Sequence, residues 1–395
     1  MTESRIAPPV RVLVADSGAG TRRTVAEALT RKGFTVEMSE NAEDAFEKVR
    51  VFRPNLVFYD LELPGYDGFE ATALVSRMRF GREGFIIATS MHRGSEVAAR
   101  ARAAGAWDFL YKPLAEQDIL QTALAIKRHL QRPNQMPRKA AHSRLKVTSA
   151  PCGRPDCQTQ VAGFAIKDGT PAKQDQFETP IYAAGDSAEG SVDYNLVSVA
   201  VCPECYFAVD VAASQKPQAG AGAGAAAAEP LLFRIAASAD DTLFSEDRTP
   251  SAALVAFRLA IESQKSVLTE DSPEMQGKAA DLAFKAASIA HRSGDERQQD
   301  RFLAEAEKFC TDALAMDSSA AVYRAAYRLV ALYVFFMRDL DAAKTLKRFD
   351  KLERPSDGRM KPRDSRLLAT YRALAANIVA DRNFYRRTHY LAELK

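Results

Sequence analysis

Along the first third of the chain, short apolar runs alternate with stretches in which apolar residues recur every three or four positions, the pattern of strands followed by amphipathic helices. Runs at 10–15, 35–38, 56–59, 85–88 and 107–111 predict five strands. Strands separated by helical stretches predict a parallel sheet covered on both faces, a doubly wound α/β domain over 1–131. The pattern breaks where Arg132, Pro133, Pro137, Arg138, Lys139, Arg144 and Lys146 crowd together, predicting a solvated linker over 132–148. A β-leaning segment follows over 149–211, with strand-like runs at 161–167, 196–201 and 206–211. The Gly/Ala-rich tract from Gln215 to Gly224 has little to bury, and a second linker is expected over 212–249.

From 250 to 395 the chain is Ala-rich with helical spacing, as in Leu254, Phe257 and Ile261. Thr249 before Pro250 is a candidate N-cap, and Ser293-Gly294-Asp295 ends one helix before another begins. Asp295, Asp339 and Asp381 sit in similar turns 44 and 42 residues apart, so stacked helical hairpins with their loops on one edge are expected. This all-α array resembles tetratricopeptide repeats, and stacked hairpins of that kind offer extended faces to partner proteins.

Composition narrows the function classes. Lys and Arg number 54 against 51 Asp and Glu, and a net charge of +3 is too small to announce a nucleic-acid partner. No apolar run approaches the ~20 residues of a membrane helix, and the first nine residues lack the apolar core of a signal peptide. A soluble, cytoplasmic protein without membrane insertion is expected. Five Cys in 395 residues exclude a disulfide-dense secreted scaffold.

In an open parallel sheet, ligands bind beyond the carboxyl ends of the strands, which directs attention to Asp16, Asp60, Ser90 and Lys112. Two carboxylates, a hydroxyl and an ammonium converging there suit a divalent cation and a phosphoryl group, with Asp60 as nucleophile. The segments Asp60-Leu61-Glu62-Leu63-Pro64-Gly65-Tyr66-Asp67-Gly68, Ala88-Thr89-Ser90, Ala104-Gly105-Ala106 and Tyr111-Lys112-Pro113 resemble the response-regulator receiver domain of two-component signalling, a flavodoxin-like fold. The resemblance implies that Asp60 is the phosphoacceptor, Ser90 the switch hydroxyl and Phe109 the switch aromatic. It further implies that Lys112 precedes a cis proline, that Glu62 offers its backbone carbonyl to Mg²⁺ beside Asp16 and Asp60, and that a histidine kinase is a partner.

One position departs from that pattern. Receivers usually carry two adjacent acids after the first strand, whereas Asp16 here is followed by Ser17. A hydroxyl brings no charge to offset the dehydration of Mg²⁺. Two readings therefore stand: a slowly phosphorylated receiver, and a pseudo-receiver that serves as a binding platform without phosphorylation.

Cys152 and Cys157 are separated by four residues, Cys202 and Cys205 by two, and two such turns complete a closed four-thiolate zinc site with no open position for catalysis. A redox pair needs its first Cys at a helix N-terminus, but strand-like Tyr206-Phe207-Ala208-Val209 follows Cys205. Unrelated free thiols are the remaining alternative. Cys310, between apolar positions of a helix, is expected to be a buried small hydrophobe. From 149 onward, the Cys pairs, Thr179-Pro180-Ile181-Tyr182, Val201-Cys202-Pro203-Glu204-Cys205-Tyr206-Phe207-Ala208 and Ala256-Phe257-Arg258-Leu259-Ala260 resemble an uncharacterised bacterial family that joins a zinc ribbon to a tetratricopeptide-like tail.

His92, His129, His142, His291 and His389 are scattered without ligand or triad spacing, and no enzyme motif is present. Residues 338–395 carry fifteen Lys and Arg against eight Asp and Glu. That excess fits a solvated face or a surface for an acidic protein, and its sparse aromatics argue against nucleic acid. The expectation is a non-enzymatic signalling adaptor, with the receiver's state controlling what the ribbon and helical array bind. A nucleic-acid-binding regulator is the reading from another class.

Overall fold

The computed structural model describes residues 9–78, 84–131, 145–154, 156–167, 173–181, 193–211, 223–245, 247–267, 272–316, 320–352 and 362–385. Parts of the two expected linkers (132–144 and 212–222), Tyr182, His142 and His389 lie outside the described residues. The chain divides into two compact units, Met1–Asn134 with Glu229–Ala237, and Gln135–Ala228 with Ser238–Lys395.

In the first unit the order is β1 (Arg11–Ala15), α1 (Ala19–Thr30), β2 (Thr35–Ser39), α2 (Ala42–Phe52), β3 (Leu56–Asp60), α3 (Gly68–Arg77), β4 (Phe85–Ser90), α4 (Ser95–Ala103), β5 (Asp108–Tyr111) and α5 (Glu116–Gln131). All strand pairs are parallel and the spatial order is β2-β1-β3-β4-β5, the flavodoxin-like arrangement expected. Every residue of β3 and β4 is buried, which is why both read as continuous apolar runs, while edge strand β2 exposes part of its length. Caps fix where the helices start: Asn41 accepts from Asp44 N ahead of α2, and Asp67 accepts from Phe69 N and Glu70 N ahead of α3. Gly68 is obligatory, since a Cβ there would lie 2.1 Å from the Leu61 carbonyl oxygen. The register pairs Ala15 with Tyr59, Asp60 with Thr89, and Ser90 with Tyr111, so the strands end side by side along one edge.

In the second unit, β6 (Leu145–Pro151) and β7 (Gln160–Ile166) form an antiparallel hairpin, and β8 (Lys173–Gln174) pairs with β9 (Pro180–Ile181). α6 (Tyr194–Val197) precedes the antiparallel pair β10 (Val199–Val201) and β11 (Ala208–Asp210). The run at 196–201 thus begins in the end of a helix, which Asp193 caps by accepting from Asn195 N, and is strand only from Val199. Likewise 206–211 becomes strand only from Ala208, since Tyr206 adopts a left-handed φ of 55° at the turn that closes the Cys pair.

Helix α7 (Ala223–Ala236) lies inside the expected linker of 212–249. Its second half belongs to the first unit through an apolar contact that composition did not reveal. Phe233, 2% exposed, places its ring 5.0 Å from Trp107, 4.5 Å from His129 and 5.7 Å from Phe85. Arg234 pairs with Asp108 at 2.5 Å, and Arg128 donates to the Ala237 carbonyl.

Five helices after α8 (Pro250–Val267) complete the second unit: α9 (Pro273–Arg292), α10 (Glu296–Leu314), α11 (Ala320–Phe335), α12 (Asp339–Leu352) and α13 (Pro362–Ala380). Thr249 caps α8 through Ala252 N, as its position beside Pro250 predicts. Gly294 (φ 74°) and the cap of Asp295 on Gln298 N turn α9 into α10, and Met337 (φ 57°) turns α11 into α12. The β segment and the helices share one core, because α8 packs on β10 and β11 and Ser263 Oγ accepts from Ala208 N at 2.9 Å. The break expected near 211 is therefore not a boundary between folded units.

Removing the ring of Phe233 leaves a cavity against Phe85 and Trp107. Phe233→Ala should lower the stability of the first unit by about 3–5 kcal/mol. Trp107 is the sole tryptophan of the chain, so its fluorescence reads this unit selectively. The expected outcome is a red-shifted emission and an earlier urea midpoint for the Trp107 signal.

Candidate functional site

The aligned ends of β1, β3 and β5 bring together three of the expected residues. Lys112 Nζ lies 2.8 Å from Asp16 Oδ2 and 2.7 Å from Asp60 Oδ2. Asp60 is fully buried, Asp16 nearly so, and the Lys112 side chain is 10% exposed. Glu62 N donates to Asp60 Oδ1 at 3.1 Å, while Ser17 donates to Asp60 Oδ2 from its Oγ at 3.3 Å and its N at 3.4 Å. Asp16 Oδ1 accepts from Gly18 N at 2.8 Å. Arg22 donates to the Asp16 and Ser17 carbonyls at 2.6 and 3.0 Å, clamping the turn after β1. Periodicity gave no sign of Arg22, whose partners are backbone atoms.

Burial alone would push the Asp60 carboxyl up, but the hydrogen bonds from Lys112 and Glu62 N outweigh it and hold the group below the usual carboxylate range. Burial likewise opposes the charge of Lys112, and its hydrogen bonds to Asp16 and Asp60 raise its pKa above the ordinary value. The pocket therefore presents an ionised, oriented carboxylate beside a permanent cation. Such a pair can attack an electrophilic phosphorus and neutralise the charge of the product.

Ser90 and Phe109 are placed differently. Ser90 Oγ donates to Glu62 Oε1 at 2.5 Å and accepts from His92 N at 2.9 Å, and Met91 N approaches Glu62 Oε2 at 3.3 Å. Glu62, expected for its carbonyl, thus also binds the Ser90 hydroxyl with its side chain. Phe109 is 7% exposed among Ala88, Ala98, Ala101 and Ala106, with its ring edge-on to Tyr111 at 4.9 Å. Lys112-Pro113 is cis.

In the second unit, two turns converge. Pro151 pairs with Gln160 at the turn end of the β6–β7 hairpin, and Cys152 N donates to Thr159 O, which fixes the first pair. Cys202 N donates to Phe207 O, and Tyr206 N to Cys202 O, which fixes the second. The four sulfurs lie within 4.8 Å of one another, with Cys152 to Cys205 at 3.6 Å and Cys157 to Cys202 at 3.8 Å. All four are free thiols. A tetrahedron with Zn–S bonds of ~2.3 Å has sulfur–sulfur edges of ~3.8 Å, so the cluster has the size and the soft donors of a zinc site. Cys310 is buried in α10, away from this cluster, and burial pushes its thiol up to about 12.

Comparison with known proteins separates the two halves. Residues 12–124 match the family described as response regulator receiver domain. These residues are a receiver domain. The transcriptional regulatory protein PdtaR of Mycobacterium tuberculosis is 30% identical over 129 residues, 32% of this chain and 62% of its own. Protein PilG of Pseudomonas aeruginosa is 29% identical over 121 residues, covering 31% of this chain and 87% of PilG. Among solved structures, the chemotaxis response regulator CheY4 of Vibrio cholerae is similar at 24% identity, with 30% of this chain and 99% of CheY4 covered and a TM-score of 0.29. The chain spans less than two thirds of the length of PdtaR. Residues 189–374 match a family described as an uncharacterized protein conserved in bacteria. That span contains Cys202 and Cys205, whereas Cys152, Cys157 and Thr179 precede it.

In the receiver, Lys112 compensates two buried carboxylates at once. Lys112→Met should cost about 3–5 kcal/mol at neutral pH, measured by urea unfolding. The pH trend should also invert. In the wild type the depressed Asp60 contributes stability above an unfolded-state pKa of ~3.9, lost as pH falls through the lower folded value. Without Lys112, desolvation raises the folded pKa of Asp60, and the variant should gain stability as pH falls from 7 to 5.

Proposed function

We propose that the protein is a non-enzymatic signalling adaptor of a two-component pathway, acting in the cytoplasm, in which the receiver's state controls the protein–protein interactions of the second unit. The observation that carries this reading is the buried Asp60 carboxylate, held ionised by Lys112 at 2.7 Å and flanked by Asp16. Asp60 Oδ would attack the phosphorus of a donor, a histidine kinase or a small acyl phosphate. The donor's bond to phosphorus breaks, and its electron pair leaves with the donor. Lys112 would then pair with a phosphoryl oxygen. Asp16, Asp60 and the Glu62 backbone carbonyl would hold Mg²⁺, which supplies charge neutralisation when bound. Ser90 would have to exchange its bond to Glu62 for one to the phosphoryl group, moving the loop after β4.

Ser17 favours the second reading, a pseudo-receiver scaffold. With two carboxylates in place of three, Mg²⁺ occupancy should fall roughly tenfold or more. Labelling of Asp60 by a small phosphodonor at millimolar Mg²⁺ should accordingly be slow. Ser17→Asp should speed it about tenfold, and Asp60→Asn should abolish it. Efficient wild-type labelling that Ser17→Asp leaves unchanged would remove the pseudo-receiver reading. Loss of partners from full-length Asp60→Ala in a pull-down would tie the receiver to the output.

For the second unit, the reading is a structural zinc held by Cys152, Cys157, Cys202 and Cys205, supported by their 3.6 and 3.8 Å sulfur contacts. Four thiolates leave no position for water, so the ion would contribute folding energy and no chemistry. Elemental analysis of protein prepared without chelator should return one zinc per chain, and Cys202→Ser should lower both the zinc content and the melting temperature. A stoichiometry near zero would end this assignment.

A further inference from the structure

The turn between β8 and β9 runs through the interior of the second unit, whereas turns ordinarily lie on the surface. Asp175, Gln176 and Phe177 are fully buried, and Thr179 is nearly so. The Phe177 ring stacks on Phe284 of α9 at 4.9 Å and meets Phe335 of α11 edge-on at 5.9 Å. Glu178 follows, its carboxylate 2.6 Å from Arg324 and 3.7 Å from Arg328, both on α11. The same helix holds the backbone: Tyr327 Oη donates to the Gln176 carbonyl at 2.7 Å, and Arg328 Nε to the Phe177 carbonyl at 3.1 Å. Main-chain carbonyls of Gln176 and Phe177 and side chains of Phe177 and Glu178 are thus gripped by α9 and α11.

The occupant fits imperfectly. Glu178 takes a left-handed φ of 61°, which a residue with a Cβ adopts at a cost. Both side-chain polar atoms of Gln176 and the nearby Asn195 Oδ1 are buried without a hydrogen-bond partner among the described residues. Buried polar groups are nearly always paired, so three such atoms around one turn mark a segment not fully accommodated by its surroundings. Burial also pushes the Asp175 carboxyl up to about 6, although its Oδ1 accepts from Phe177 N and Thr179 N. Without Glu178, the two guanidinia share one ion-paired carboxylate among the described residues, Asp281, at 3.1 and 2.6 Å, and the groove favours an incoming negative charge. An incoming segment therefore needs an aromatic ring followed by a carboxylate.

We propose that the groove of α9 and α11 is a recognition site for a partner segment bearing an aromatic residue followed by an acidic one, and that the 175–179 turn occupies it in cis. This rests on the reading that the second unit carries the partner-binding output, and it identifies the chemistry of the partner.

The test uses full-length protein and a fluorescein-labelled peptide with the sequence of residues 173–181. Two variants weaken the cis occupant: Glu178→Ala, which keeps the Phe177 anchor, and Phe177→Ala with Glu178→Ala. Fluorescence anisotropy should show at least tenfold tighter peptide binding to the double variant than to wild type, with Glu178→Ala between them, because a tethered competitor acts at an effective concentration of about millimolar. Replacing Phe and Glu of the peptide by Ala should abolish binding, and so should adding Arg324→Glu to the double variant. No binding by variants that keep wild-type helical circular dichroism would overturn the proposal. Loss of helicity in both variants would overturn it too, since the turn would then be an obligatory part of the core. Neither outcome involves Asp60 or a phosphodonor, so the adaptor reading is judged separately.

Discussion

Two carboxylates cannot stay ionised in a buried pocket unless a cation shares it, and Lys112 meets that requirement for Asp16 and Asp60 together. The constraint reaches outward through the sheet. Only parallel strands ending at a common edge bring the residue after β1, the last residue of β3 and the residue after β5 within hydrogen-bonding distance. Covering both faces of that sheet buries the pocket, which opposes the charge on Asp60, and the hydrogen bonds from Lys112 and Glu62 N outweigh that burial. Ser17 donates to Asp60 where a second acid would repel it, and this bond steadies the pocket.

At the opposite end of the same sheet, the starts of β4 and β5 carry an apolar patch, Phe85 and Trp107, closed by Phe233. The receiver is therefore discontinuous in sequence. β4, which ends in Ser90, and β5 thus meet Phe233 of the 229–237 segment at their starts. Arg234 on Asp108 and Arg128 on the Ala237 carbonyl add polar registration to an otherwise apolar contact.

The second unit solves a different problem. Its β-pairs are too short to bury a core by themselves, and they borrow one from the thiol cluster and from α8. Burial of the 175–179 turn joins the same β-rich region to α9 and α11. That junction leaves buried polar atoms of Gln176 without a partner among the described residues, beside the ion pair of Glu178 with Arg324.

Local pattern determined much of this protein. Five strand-like runs in parallel-sheet order, strand-end Asp60 and Lys112, the two Cys pairs and the hairpin turns at Gly294 and Arg338 were all legible, because each depends on spacing along the chain. Thr249 as a cap was legible for the same reason. What the tertiary structure alone decided were contacts between residues far apart in sequence. Phe233 lies in a stretch whose Gly/Ala neighbours signal a linker, and only Phe85 and Trp107 make it a core residue. Glu62 reads as a turn residue until Ser90 is brought to it, 28 positions away. The 175–179 turn has the composition of a surface loop, and its burial follows from Phe284, Tyr327 and Arg328, which are more than a hundred residues distant. Hydrophobic period reports which face of an element is apolar, and it carries no record of what that face will meet.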